Sequence, residues 1–312
     1  MNKPTKKLVT YSSLLLTALY AANKYIDSCI TPITSSKNSF TFVWKEHQIQ
    51  YIEKGDNKNP PLLLIHNLIP SSSKEEWYRI DDILSKDFHV YELDLLGCGN
   101  SDKPNITYIN YMYVQIISAF INEVIKEKTN ICAASFSSSI VLMTARFYPG
   151  IINKIVIINP TSIDKLVKPA TYKNKIESNI LELPIIGTFL YNCKMSKSSI
   201  EDYYKYICFY NDKNVSSKTL DIAYYNAHNQ HSSGKFLLGS IIGKYTNINI
   251  IYALNKINHN LYLIGNGNYK SIIQEYKKYN KNIHAVYVSN CRLLPQLEIP
   301  ETIADKIKRS LN

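Results

Sequence analysis

Glycine is scarce in this chain, ten of 312 residues, and its cysteines are never paired at close spacing. The six of them (Cys29, Cys98, Cys132, Cys193, Cys208, Cys291) fall singly and irregularly. That pattern excludes a Cys-x-x-Cys motif and a Cys/His ligand set, so neither a metal nor a cofactor is implied. Buried thiols are expected in place of a disulfide framework. Dense basic clusters are missing too. The formal net charge is +11, from 36 Lys and Arg against 25 Asp and Glu, but no nucleic-acid motif accompanies it. A nucleic-acid partner is therefore not expected, and the excess reads as solvated lysine. Internal repeats are absent. What is present is a 45% hydrophobic fraction in recurring apolar runs, which excludes a disordered chain. The length allows a full core, as one large domain or as a domain with an insertion.

The chain opens with Lys3, Lys6 and Lys7, and residues 8–22 then carry no charge. A basic start followed by an apolar run resembles a signal peptide or a membrane anchor. The run falls short of the ~20 residues that span a bilayer comfortably. Residues 1–30 are read as an N-terminal hydrophobic helix, an uncleaved anchor that places the protein at a membrane. The alternative is a helix packed on the domain of a cytoplasmic protein. Residues 31–39, with Pro32 and several serines, read as a linker.

From Phe40 the pattern alternates. Residues 40–45 and 48–53 read as antiparallel strands about His47. Pro61-Leu-Leu-Leu-Ile-His66 is the continuous apolar run of a central parallel strand. Trp77, Ile80, Ile83 and Leu84 give residues 75–84 helical spacing. A strand over 88–94, the tight turn Gly97-Cys-Gly99, a helix over 111–125 and a strand over 154–160 follow. Between 161 and 244 the alternation stops. Segments 180–190, 200–210 and 219–228 read as helices, an insertion expected to act as a lid. Strands resume at 261–264 and 283–288, and a last helix covers 301–311. This order predicts an α/β fold over 40–312, a mostly parallel sheet flanked by helices.

The stretch Asn130-Ile-Cys-Ala-Ala-Ser-Phe-Ser-Ser-Ser139 carries the chemistry. An apolar strand ends at Ala134, a helix-forming run begins at Ile140, and Ser135 stands at the turn between them. That is the layout of a nucleophile elbow, usually spelled Gly-x-Ser-x-Gly. Here Ala133 and Ser137 replace both glycines, and each is small enough for the turn.

Three further stretches resemble the α/β-hydrolase superfamily, across residues 44–311. Leu62-Leu-Leu-Ile-His66-Asn67 is similar to its strand ending in His-Gly, with Asn67 for the glycine. Asp94-Leu-Leu-Gly-Cys-Gly-Asn-Ser-Asp-Lys-Pro104 matches its Asp-x-x-Gly-x-Gly-x-Ser-x-x-Pro turn. Pro295-Gln-Leu-Glu-Ile-Pro300 matches the segment after its catalytic histidine. The resemblance implies an α/β-hydrolase fold with Ser135 as nucleophile, since Pro149 follows it at the family's spacing; Ser137 is the second choice. The N–H groups of Leu68 and Phe136 would form the oxyanion hole. The acid position falls on Asn268, or on Asn159 or nearby Asp164 in members that carry the acid one strand earlier. The histidine position falls on Leu293, which cannot accept a proton. A substitute base would come from His228 or His231 near the end of the lid, from His259, or from His66, whose implied role is to brace its loop. A metal at His228 and His231 lacks a third ligand.

Two functions fit these residues. One is a serine esterase or lipase acting on a small ester or acyl substrate through Ser135. The other is a non-catalytic member that binds an apolar ligand or a protein partner at a membrane.

Overall fold

The computed structural model describes residues 3–32 and 39–312. Eight strands form one sheet in the order β1-β2-β4-β3-β5-β6-β7-β8. β1 (Ser39–Trp44) and β2 (His47–Lys54) make the predicted antiparallel hairpin, and β2 pairs antiparallel with β4 (His89–Leu93). The rest of the sheet is parallel: β3 (Pro61–Ile65), β5 (Thr129–Ala134), β6 (Ile152–Ile158), β7 (Asn260–Gly265) and β8 (Ile283–Tyr287). The two-residue side-chain period explains the unbroken apolar runs. Leu63, Ile65, Ile131, Ala133, Ile155 and Ile157 face one core with Val141 and Tyr276. Their neighbours Leu62, Leu64, Cys132, Ala134, Val156 and Ile158 face a second core with Trp77, Ile303 and Ile307. A strand covered on both faces has no place for a polar alternate residue.

The signature turn after β4 is organised by Asp94, which is fully buried. Its carboxylate accepts from the Lys74 N–H at 2.7 Å, the Lys74 Nζ at 2.8 Å and the Asn100 N–H at 3.0 Å. The Lys74 charge and these donors hold its pKa below the usual range although burial pushes the other way. Gly99 has φ +51°, and a Cβ there would lie 2.3 Å from the Asp94 carboxyl, so backbone and carboxylate meet only at glycine.

Four expected helices are divided; residues 111–125 form an α-helix, Asn110–Phe120, that runs into a π turn, Ile121–Ile125. Residues 75–84 form a 3-10 turn, Lys74–Trp77, and a one-turn helix, Asp81–Leu84. Lys74 and Glu76 turn inward to Asp94 and to the Asn67 N–H, which a regular amphipathic helix with that apolar face would have pointed at solvent. Residues 180–190 are split between helices Tyr172–Glu182 and Ile186–Lys194, because Leu183, ahead of Pro184, is held extended at ψ 143°. Residues 200–210 divide into Lys197–Tyr203 and a π turn, Tyr204–Cys208. The third segment of the insertion runs longer than expected, Ser217–Ser232, with left-handed backbone at Gln230 and His231. No strand interrupts residues 161–244. Helices Ile251–Lys256 and Lys270–Tyr279 were not foreseen.

The N-terminal helix covers Lys3–Ser28. Among the described residues no helix is long and apolar enough to cross a membrane, which corrects the spanning-anchor expectation. Its end is fixed to the helical insertion. Asn23 Nδ2 donates to the Ile185 carbonyl at 3.0 Å, and Asp27 pairs with His231 at 2.7 Å. The expected linker is described at residues 31, 32 and 39; Ser39 belongs to β1, and residues 33–38 lie outside the described residues. All six cysteines are free; Cys98, Cys132, Cys208 and Cys291 are buried, whereas Cys29 and Cys193 are exposed.

Candidate functional site

The turn after β5 has elbow geometry. Ser135 has φ +49°, a left-handed conformation that costs a non-glycine residue about 1–3 kcal/mol. The flanking structure over-determines it. The Ser135 N–H donates to the Ile158 carbonyl at the end of β6 (2.9 Å), and helix Ser137–Phe147 starts two residues later. Ala133 and Ser137 are fully buried beside it, so small size is what the missing glycines had to supply. Ser137 itself is turned inward, its hydroxyl donating to the His66 carbonyl at 2.6 Å, which removes the second serine choice. Ser135 Oγ is buried and has no hydrogen-bond partner.

Ser135 lines a cleft of about 440 Å³, together with Asn159, Asn266, Asn268, Arg292 and Leu293. The topology therefore brings Ser135, Asn268 and Leu293, the triad positions that the resemblance implies, to the carboxyl ends of β5, β7 and β8. Their chemistry is different. Leu293 contributes an apolar side chain, and Asn268 is exposed, its N–H donating to Asn266 Oδ1 at 2.8 Å. The inward residue after β7 is Asn266, which the sequence reading passed over in favour of Asn268. It is buried, and its Nδ2 donates to the Cys291 carbonyl at 2.5 Å. Asn159, the first residue after β6, has φ +49° and donates to the carbonyls of Arg292 (2.7 Å) and Leu293 (3.1 Å), leaving its Oδ1 without a partner. Two amides thus staple the loop that would carry a histidine. A carboxylate at either place would set an acceptor against a carbonyl oxygen, and only an amide can donate there. Asp164, the other acid candidate, is exposed and does not line the cleft.

None of the seven histidines lines this cleft. His66 is buried under the β3 loop: Leu95 N–H donates to its Nε2 at 3.0 Å, so Nδ1 carries the proton toward the Asn67 carbonyl at 2.6 Å. Burial lowers its pKa, which keeps the ring neutral in this bracing role. The proposed substitute bases lie elsewhere, and that expectation is corrected. His228 is buried against Tyr224 and bonds that residue's carbonyl at 3.0 Å. His231 faces Asp27 of the N-terminal helix, and His259 faces the Pro149 carbonyl. The backbone is left-handed at Gln230 and His231, a feature with no local sequence signal.

The oxyanion donors also depart from expectation. The Phe136 N–H donates to Asn67 Oδ1 at 3.1 Å, so the side chain that replaces the usual glycine fills the site where a developing oxyanion would bind. Leu68 is almost fully buried, and neither it nor Phe136 lines the cleft. Asn67 is itself held. Its N–H donates to Glu76 at 3.0 Å, a buried carboxyl whose pKa is raised to about 7 by burial against the pull of its donors.

The strand order, the left-handed serine after β5 and the Asp94 turn identify the fold. The chain has the α/β-hydrolase fold. A sequence profile for the α/β hydrolase fold matches residues 60–176. A protein described as "probable lysophospholipase BODYGUARD 2" of Arabidopsis thaliana is 25% identical over 183 residues, 55% of this chain and 38% of that protein. An uncharacterized protein of Mycobacterium tuberculosis is 26% identical over 106 residues, 34% of this chain and 30% of that protein. The chain thus spans well under half the length of these relatives. Among solved structures, a bacterial membrane phospholipase A superposes with TM-score 0.70 at 19% identity, covering 99% of this chain and 94% of that one. Carboxylesterase CesB of Bacillus subtilis gives 0.64 at 16%, covering 95% and 98%, and the epoxide hydrolase CorEH gives 0.72 at 16%, covering 87% and 97%. At these identities the likeness is one of fold.

Chemically, a serine hydroxyl without a base keeps its proton at neutral pH and is a weak nucleophile. What the cleft retains is a hydrogen-bonding floor at Ser135, amide walls, and apolar surface from Tyr206, Ile207, Ile272 and Leu293.

Proposed function

We propose that this α/β-hydrolase-fold protein binds a small apolar or ester-like ligand in the Ser135 cleft without hydrolysing it, at a membrane surface. The observation that carries the reading is the absence of any imidazole from the cleft lining. The Asn67 side chain on the Phe136 N–H supports it further, because it removes the donor that would stabilise a tetrahedral intermediate. The competing reading is a serine esterase or lipase, favoured by the left-handed backbone and free hydroxyl of Ser135. A fluorophosphonate probe separates them. The folded wild-type chain is expected to remain unlabelled over hours at neutral pH. Labelling that Ser135→Ala abolishes would establish a nucleophile and end the non-catalytic reading.

Support for the membrane comes from the N-terminal helix. Its side chains from residue 5 to residue 18 are exposed, including Leu8, Leu14 and Leu15 at 60–67% exposure. The uncharged stretch from Leu8 to Asn23 is 16 residues. At ~1.5 Å per residue it covers about 24 Å, less than the ~30 Å hydrocarbon core. A helix of that length, with Lys6 and Lys7 ahead of its apolar part, suits lying in the interface of an anionic bilayer better than crossing it. The full chain should float with phosphatidylserine-containing vesicles, and deletion of residues 1–18 should release it while leaving the Asn23 and Asp27 contacts in place. Equal flotation of both proteins would refute the role of the helix.

A further inference from the structure

We propose that the ligand of the Ser135 cleft is an anionic amphiphile, a single carboxylate or phosphate head on an apolar chain. The proposal rests on reading the cleft as a binding site and adds the charge of its occupant. The charged side chains on its walls are Lys165 and Arg292, both cations. Among the described residues neither forms an ion pair. Among the described residues the Arg292 guanidinium meets a neutral acceptor, the Tyr206 carbonyl.

The carboxylate that holds the same loop is turned away. Glu298 accepts from the backbone N–H groups of Tyr210, Asn211 and Arg292 at 2.8–3.1 Å and is absent from the cleft walls. Two cations without an ion-pair partner on the walls of one cleft raise the local concentration of anions. A guanidinium also presents paired donors that match carboxylate and phosphate oxygens. At the floor, Ser135 lines the cleft, and its buried hydroxyl has no partner within the protein.

The remaining walls call for an apolar chain. Tyr206 and Ile207 are 65% and 54% exposed, and Ile272 and Leu293 continue the same surface inward. The volume of about 440 Å³ lies in the usual range for small-ligand sites. A neutral ester would cover the apolar wall and leave both cations uncompensated. The free acid, or a lipid monophosphate, matches both halves. The fold then serves to hold the kind of acid that an ester-cleaving relative releases.

Calorimetric titration of the full chain with sodium decanoate, decyl phosphate and 1-decanol tests this at equal chain length. At least one of the two anions should bind, with whichever is tighter identifying the head. 1-Decanol and the Arg292→Ala variant should each show affinity weaker by about tenfold, and Arg292→Lys should retain most of it. Raising the salt should weaken only the anions. Leu293→Trp, which fills the cleft, should abolish binding; binding that survives it lies elsewhere and overturns the proposal. Decanol bound as tightly as the anions, or a folded Arg292→Ala protein with unchanged anion affinity, overturns the charge assignment while leaving the binding reading intact. No binding of any of the three overturns both.

Discussion

Lys74→Met will destabilise the protein by about 3–5 kcal/mol, the cost of leaving one member of a buried ion pair alone. Lys74 and Asp94 are 1% and 0% exposed in their side chains and sit 2.8 Å apart. Removing the ammonium strips Asp94 of its only charged donor and leaves two backbone N–H groups, from residue 74 and Asn100. The carboxylate is then held in the interior largely by hydrogen bonds. Urea unfolding followed by far-UV circular dichroism measures the loss. A linked result distinguishes charge from packing. Asp94→Asn in the Lys74→Met background should recover part of the stability, because the amide carries no charge to desolvate and its oxygen still accepts from one of the two N–H groups, which reach different carboxylate oxygens in the wild type. The pH dependence has a defined sign. The Asp94 pKa is lowered by folding, so its contribution is present above the unfolded carboxylate pKa and fades as the pH falls through the lower folded value. In the Lys74→Met protein that acid-side loss should shrink. A Lys74→Met protein within 1 kcal/mol of wild type would show that the pair does not brace the turn.

The second large effect is a gain of reactivity. Leu293→His introduces an imidazole on the wall of the cleft that Ser135 also lines, and alone it is expected to give slow fluorophosphonate labelling. Adding Asn67→Gly should accelerate labelling at Ser135 by about 10²–10³, the range reported for a single oxyanion donor. The reason is geometric. Asn67 Oδ1 occupies the Phe136 N–H at 3.1 Å, and glycine removes that acceptor while restoring the small residue the loop is otherwise built around. Equal rates in the single and double variants, with unchanged melting temperatures, would show that Asn67 does not obstruct the hole. The Asn159 and Asn266 staples are best left intact in this experiment, since an aspartate at either place would repel the carbonyls of the loop that carries the new histidine.

The amino-acid sequence by itself determined the sheet, because strands covered on both faces must be apolar at every position and are visible as runs. It also determined the Asp94 turn, whose Gly99 has no room for a Cβ beside the buried carboxyl. The serine at the elbow was legible for a similar reason: small neighbours at Ala133 and Ser137 are a local steric requirement. Where the site departs from the motifs it resembles was legible only as substitutions. What those substitutions do was settled by contacts between residues far apart in the chain. Asn67 reaches Phe136 across 69 positions, Asn159 reaches Leu293 across 134, and Asn266 rather than Asn268 faces inward at the end of β7. His228 and His231 were expected at the cleft from their place near the end of the helical insertion, but His228 packs on Tyr224 within its own helix and His231 pairs with Asp27. Periodicity and turn chemistry act within a few residues and so can be read along a chain. A cleft is made where separate strands end together, and which hydrogen bond each amide makes there is decided by what the fold brings opposite it.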